Sequence, residues 1–93
     1  MARQLVAKAK WRRAYHRLSD ANQRLVDEAL RRFRHYLSTG EAPVGLGITH
    51  LGGRTYEFRI GLGLRSVYVV EGQEVVLVLL GNHDDVRRFL KHQ

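Results

Sequence analysis

The stretch Thr55-Tyr56-Glu57-Phe58-Arg59-Ile60-Gly61-Leu62-Gly63-Leu64-Arg65-Ser66-Val67-Tyr68-Val69-Val70 decides the fold. Side chains alternate across a strand, so Tyr56, Phe58 and Ile60 share one face while Thr55, Glu57 and Arg59 share the other. Gly61-Leu62-Gly63 then supplies the permissive backbone of a hairpin loop. The Val-rich run from Leu64 to Val70 reads as a central strand covered on both sides. A three-residue loop pairs Ile60 with Leu64 and therefore sets Arg59 directly opposite Arg65 on one face. Val75 to Leu80 returns after a turn around Gly72-Gln73, and Ile48 to Leu51 gives a shorter strand ending at Gly52-Gly53.

Outward from this meander the composition changes. All nine glycines lie between Gly40 and Gly81, and the single proline is Pro43, so helix breakers are absent from the first 39 residues. Val26, Ala29, Leu30, Phe33 and Leu37 recur at helical spacing up to Gly40, with Asp20 and Gln23 placed as a capping box. Trp11, Ala14, Tyr15 and Leu18 predict a shorter helix over Lys8 to Arg17, antiparallel to the second. Gln4-Leu5-Val6 does not decide between strand and coil. At the other end, Asn82, His83 or Asp84 can cap a terminal helix with Val86, Phe89 and Leu90 inward and Arg87, Arg88 and Lys91 in water. The expected fold is α+β: two N-terminal helices packed on a three- to four-stranded antiparallel sheet with a short C-terminal helix, one domain over residues 1–93.

The 93 residues are 44% hydrophobic and 27% charged, neither disordered by composition nor membrane-like. The longest apolar run, Val75 to Leu80, is far short of the roughly 20 residues of a membrane span. Arg3, Lys8 and Lys10 are followed by no secretory-type apolar stretch, and there is no cysteine. Thiolate zinc sites, redox pairs and cysteine nucleophiles are therefore excluded, and the expectation is a soluble, cytoplasmic protein.

The net charge of +7 is concentrated in the first 36 residues, where ten Lys or Arg face three acids. Thirteen of the sixteen basic residues are arginine, whose planar fork matches phosphate oxygens. A polyanionic partner is one reading and a solvated basic helix surface is the other. Arg12, Arg13, Arg31 and Arg32 are the candidate contacts to RNA.

Within the sheet, two facing guanidinium groups repel, and the arrangement makes sense around an anion. Glu57 lies on the same face, either as a base or as a neutralising partner of Arg59 or Arg65. His83 follows the last strand; a three-residue second loop turns it to the arginine face, and a two-residue loop turns it away. A histidine beside two arginines and a carboxylate suits phosphodiester cleavage, since it can protonate a leaving oxygen near neutral pH. His83, Asp84 and Asp85 with His50 or His92 match no metal-ligand spacing, so no metal or other cofactor is expected. Ser19, Ser38 and Ser66 have no partner suggesting a nucleophile, and Gly61-Leu62-Gly63 opens no helix as a phosphate loop would.

Tyr56-Glu57-Phe58-Arg59-Ile60-Gly61, then Leu64-Arg65-Ser66-Val67-Tyr68, then an apolar strand closing in Gly81-Asn82-His83-Asp84-Asp85-Val86, form an ordered set. It resembles the RelE/ParE superfamily of toxins from bacterial and archaeal toxin–antitoxin systems. In the RelE branch the resemblance implies metal-independent cleavage of messenger RNA in the ribosomal A site. The ribose 2′-hydroxyl attacks the adjacent phosphate, leaving a cyclic phosphate and a free 5′-hydroxyl. It further implies that Arg65 stabilises the pentacoordinate phosphate, Arg59 binds substrate phosphate, Glu57 is a general base and His83 a general acid. A cognate antitoxin would silence the activity. The sequence departs from RelE-related members at Phe89, where a catalytic tyrosine often stands, and in its poorly defined first strand. Two other readings compete: a ParE-like poison of DNA gyrase, needing no catalytic residues, and a noncatalytic basic module that binds nucleic acid through its helices.

Overall fold

The computed structural model describes residues 3–92. In chain order it contains β1 (Gln4–Ala7), α1 (Ala9–His16), α2 (Asp20–Thr39), β2 (Thr49–Gly52), β3 (Thr55–Ile60), β4 (Leu64–Glu71), β5 (Glu74–Gly81) and α3 (His83–Lys91). The strands form one sheet in the order β1-β5-β4-β3-β2. β1 runs parallel to β5, with Gln4 opposite Glu74 and Ala7 opposite Leu77. The sheet is thus five-stranded and mixed, one strand beyond the expected meander. Four residues are too few for periodicity to declare a strand, and the partner that orders them lies near the other end of the chain.

The helix boundaries follow from their caps. Ser19 is the N-cap of α2, its hydroxyl accepting the Asn22 N–H at 3.2 Å. The expected Asp20–Gln23 capping box is not made: Gln23 Nε2 instead donates to the Tyr15 carbonyl at 2.9 Å and ties α2 to α1. Gly40 ends the helix at φ +78°, in the left-handed region that glycine enters without strain. A reciprocal capping box does form on α3, between Asn82 and Asp85. Gly81 makes room for it, because a Cβ there would come within 2.5 Å of Asp85 Oδ2. Val86 is buried and Phe89 packs beside it, whereas Leu90, expected inward, is exposed.

The two sheet faces are covered differently. On one, Trp11, Val26, Ala29 and Phe33 from α1 and α2 pack against Phe58, Ile60, Tyr68, Leu77 and Leu80. The Phe33 ring lies 4.5 Å from Phe58 and 4.7 Å from Tyr68, centroid to centroid. Ser66, fully buried in this layer, is satisfied by the indole N–H of Trp11 at 2.9 Å. On the opposite face a smaller cluster joins Val67 and Leu79 to Val86 of α3, with Leu51, Val78 and Phe89 at its margin.

Register sets the rest. The β3–β4 hairpin pairs Arg59 with Arg65 and Ile60 with Leu64, as the three-residue loop requires. The next hairpin has the shorter of the two loops, since Glu71 pairs with Glu74. That register alone would align Arg65 with Leu80. An extra residue, Val78, is accommodated between Leu77 and Leu79 opposite Val67 and Tyr68, so the ladder beyond it shifts by one and Arg65 meets Gly81. The alignment that the longer loop would have produced is reached through a bulge.

Candidate functional site

Glu57, Arg59 and Arg65 lie together on the sheet face opposite α1 and α2. Glu57 sits where its strand is sandwiched between β2 and β4, and only 5% of its side chain is exposed. A buried carboxylate needs a charged partner, and Arg65 Nη1 donates to Glu57 Oε2 at 2.7 Å. Oε1 makes no hydrogen bond among the described residues, and no buried side-chain oxygen there lacks a partner, so Oε1 keeps contact with solvent.

Arg59 is different. It is exposed and forms no ion pair among the described residues. Its stem lies along Gly47, where an added Cβ would stand 3.2 Å from Cγ and Cδ, and Gly47 also has φ +60°. The loop that presents Gly47 is anchored by Leu46, whose side chain is buried and whose carbonyl accepts the Arg59 N–H at 2.9 Å. Two cations therefore face each other across β3 and β4, and the one carboxylate beside them, two residues along β3, is already engaged by Arg65. The site carries an uncompensated positive charge at an open surface.

His83 is the first residue of α3, exposed, and two positions beyond the Gly81 that pairs with Arg65. It makes no hydrogen bond to Glu57, Arg59 or Arg65 among the described residues. Phe89 is half-buried against the Val67, Leu79 and Val86 cluster. Among the described residues no three His, Asp or Glu side chains are grouped as a metal ion would need. Asp85 is committed to its cap and to Arg88, and His50 Nε2 to the Gly53 carbonyl.

The four arginines of the helices are not equivalent. Arg12 donates to the Ala7 carbonyl and Arg32 pairs with Glu28 at 2.6 Å, whereas Arg13 and Arg31 have no ion-pair partner among the described residues. Arg24 and Arg34, not singled out from the sequence, lie with Arg31 on the side of α2 turned away from buried Val26, Ala29 and Phe33. Their i, i+7 and i+10 spacing was the available signal. The acid nearest that ridge, Asp27, is taken by the Tyr15 hydroxyl at 2.6 Å, a hydrogen bond that raises the phenol pKa above 10.0.

The same architecture is found in solved toxin structures. The archaeal RelE in the RelE–RelB complex from Pyrococcus horikoshii superposes with a TM-score of 0.67 at 21% identity, over 88% of this chain and 96% of that one. This chain has the RelE/ParE-type toxin fold. YoeB from Staphylococcus aureus, solved as a dimer, gives 0.69 at 14% identity over 89% and 99% of the two chains. A mutant of the E. coli toxin RelE in the free state gives 0.69 at 15% identity over 97% and 93%. No protein-family model and no curated protein sequence matches. The RelE/ParE-type likeness is thus one of backbone architecture, and it spans nearly the whole of each toxin chain.

Proposed function

We propose that this protein is the toxin of a toxin–antitoxin pair and acts as a ribosome-dependent endoribonuclease on messenger RNA. The observation that carries the reading is the facing Arg59–Arg65 pair on an open sheet surface, with Arg65 held by Glu57 and the Arg59 guanidinium unpaired among the described residues. An in-line attack of a 2′-hydroxyl on the adjacent phosphate builds negative charge on the phosphoryl oxygens, and two preorganised guanidinium groups stabilise that charge. The P–O5′ bond breaks as the P–O2′ bond forms. Glu57, holding Arg65 with one oxygen, has the other in contact with solvent to accept the 2′-hydroxyl proton; His83 donates a proton to the leaving 5′ oxygen. No metal or other cofactor enters the scheme. Exposed arginines on α1 and α2, Arg13 and Arg31 foremost, supply affinity for ribosomal RNA in the cytoplasm. A cognate antitoxin, as in the RelE–RelB and DinJ–YafQ complexes of neighbouring folds, keeps the activity silent.

The test is induction in bacteria with mapping of new 5′ ends on messenger RNA. Wild-type protein should generate ends inside translated codons, and His83→Ala should remove them while leaving the fold intact. Growth arrest with DNA breaks and intact message would replace this reading with the gyrase poison. Binding to RNA without cleavage would replace it with the noncatalytic module.

A further inference from the structure

The sheet face opposite α1 and α2 is only partly roofed. α3 covers Val67 and Leu79 through Val86, with Val78 and Phe89 at the margin. Further along the same strands Val69 lies opposite Val76, and Val76 opposite Val6 of β1, so these three side chains share that face. None of the three belongs to the core under α1 and α2 or to the cluster under α3, and Val6 is 37% exposed. The valine strip ends at the second hairpin, where Glu71 faces Glu74. Both are exposed, and neither has an ion-pair partner among the described residues. Like charges in direct cross-strand register destabilise a sheet, so this pair, like the arginine pair at the other end of β4, calls for a counter-charge. α3 offers one. Arg87, Leu90 and Lys91 stand at i, i+3 and i+4 and form a single exposed ridge, in which neither Arg87 nor Lys91 has an ion-pair partner among the described residues.

We propose that the valine strip is covered by a second copy of this chain. The Arg87–Leu90–Lys91 ridge of each copy lies on the strip of the other, with Leu90 against the valines and the two cations against the partner's Glu71 and Glu74. Ridge and strip belong to one face of one chain, so each copy offers both halves and a two-fold contact closes at two copies. The net charge of +7 does not oppose this pairing. It resides in the first 36 residues, while residues 37–93 carry six basic and six acidic side chains. α1 and α2 pack on the other sheet face, so the contact keeps the basic helices of the two copies apart, where salt screens their repulsion. An acidic partner would be repelled by Glu71 and Glu74. The contact uses none of Glu57, Arg59, Arg65 or His83, so the inference stands apart from the nuclease reading.

Sedimentation velocity on the full chain across a concentration series should show a reversible monomer–dimer equilibrium. Leu90→Asp should weaken it by about tenfold or more, and so should each of two charge reversals, Glu71→Lys/Glu74→Lys and Arg87→Glu/Lys91→Glu. All five positions are exposed, so the melting temperatures should stay close to wild type. The deciding measurement mixes the two charge-reversed variants. In the mixed dimer each ridge meets a strip of opposite sign, so association should return to near the wild-type strength, although each variant alone sets like charges together. A wild type that stays monomeric up to millimolar concentration, a dimer indifferent to Leu90→Asp and to both reversals, or reversed variants that do not associate when mixed would each overturn the proposal.

Discussion

The two faces of the β3–β4 hairpin arise from the same residues read at alternate positions, yet they obey different physics. On the helix-covered face, Phe58 and Tyr68 are buried against Phe33, and the one polar side chain, Ser66, is satisfied by Trp11. On the other, Arg59 and Arg65 stand opposite each other, and the single buried carboxylate, Glu57, is paired with Arg65. A face evolved for stability alone would not keep two like charges in direct cross-strand register, since such pairs destabilise a sheet. The contrast separates residues that hold the core together from residues that place charge at an open surface.

Phe33→Ala should give the largest effect. It removes a ring in contact with both Phe58 and Tyr68 from a fully buried site, and losses of this kind cost about 3 to 5 kcal/mol. Chemical denaturation should show it, with function lost only through the unfolded fraction. A small loss would mean that α2 contributes less to the core than its packing indicates.

Arg65→Ala tests where the two faces meet. Arg65 belongs to the charged face, yet it is the partner of a carboxylate that is almost wholly buried. Stranding that charge should cost about 2 kcal/mol, below the full penalty of a buried pair because part of Arg65 is exposed. Glu57→Gln/Arg65→Ala should recover most of that stability and none of the cleavage. Recovery of both would remove Arg65 from the chemistry. Arg59→Ala sharpens the contrast: with no ion pair to lose, it should change stability by less than about 0.5 kcal/mol while suppressing cleavage of message.

Much of this was legible in the sequence where the signal is local. The Gly61–Gly63 loop fixes its own register, so the Arg59–Arg65 pair follows from counting residues. Features that depend on distant partners were not legible. β1 becomes a strand only because β5 lies beside it, and the Val78 bulge falls inside β5, opposite Val67 and Tyr68, where no turn residue marks it. Glu57 was placed on the correct face, but its choice of Arg65 over Arg59 depends on burial, which alternation does not report. The basic character of the two helices was readable, yet which arginines are engaged depends on Glu28 as the partner of Arg32 and the Ala7 carbonyl as the acceptor for Arg12.

The smallest effect concerns Tyr68, on the covered face. Burial raises its phenol pKa well above 10.0 by penalising the phenolate, with the nearby Tyr36 and Tyr56 adding to the shift. A raised folded pKa means the unfolded chain loses this proton first, so the contribution is fully present below pH 10 and declines as the pH climbs past it. Unfolding free energy measured from pH 9 to 11.5 should therefore fall more steeply for wild type than for Tyr68→Phe, which has no proton to lose there. Identical slopes would mean that water reaches the Tyr68 hydroxyl freely, and that the helix-covered face is less sealed than its contrast with the arginine face requires.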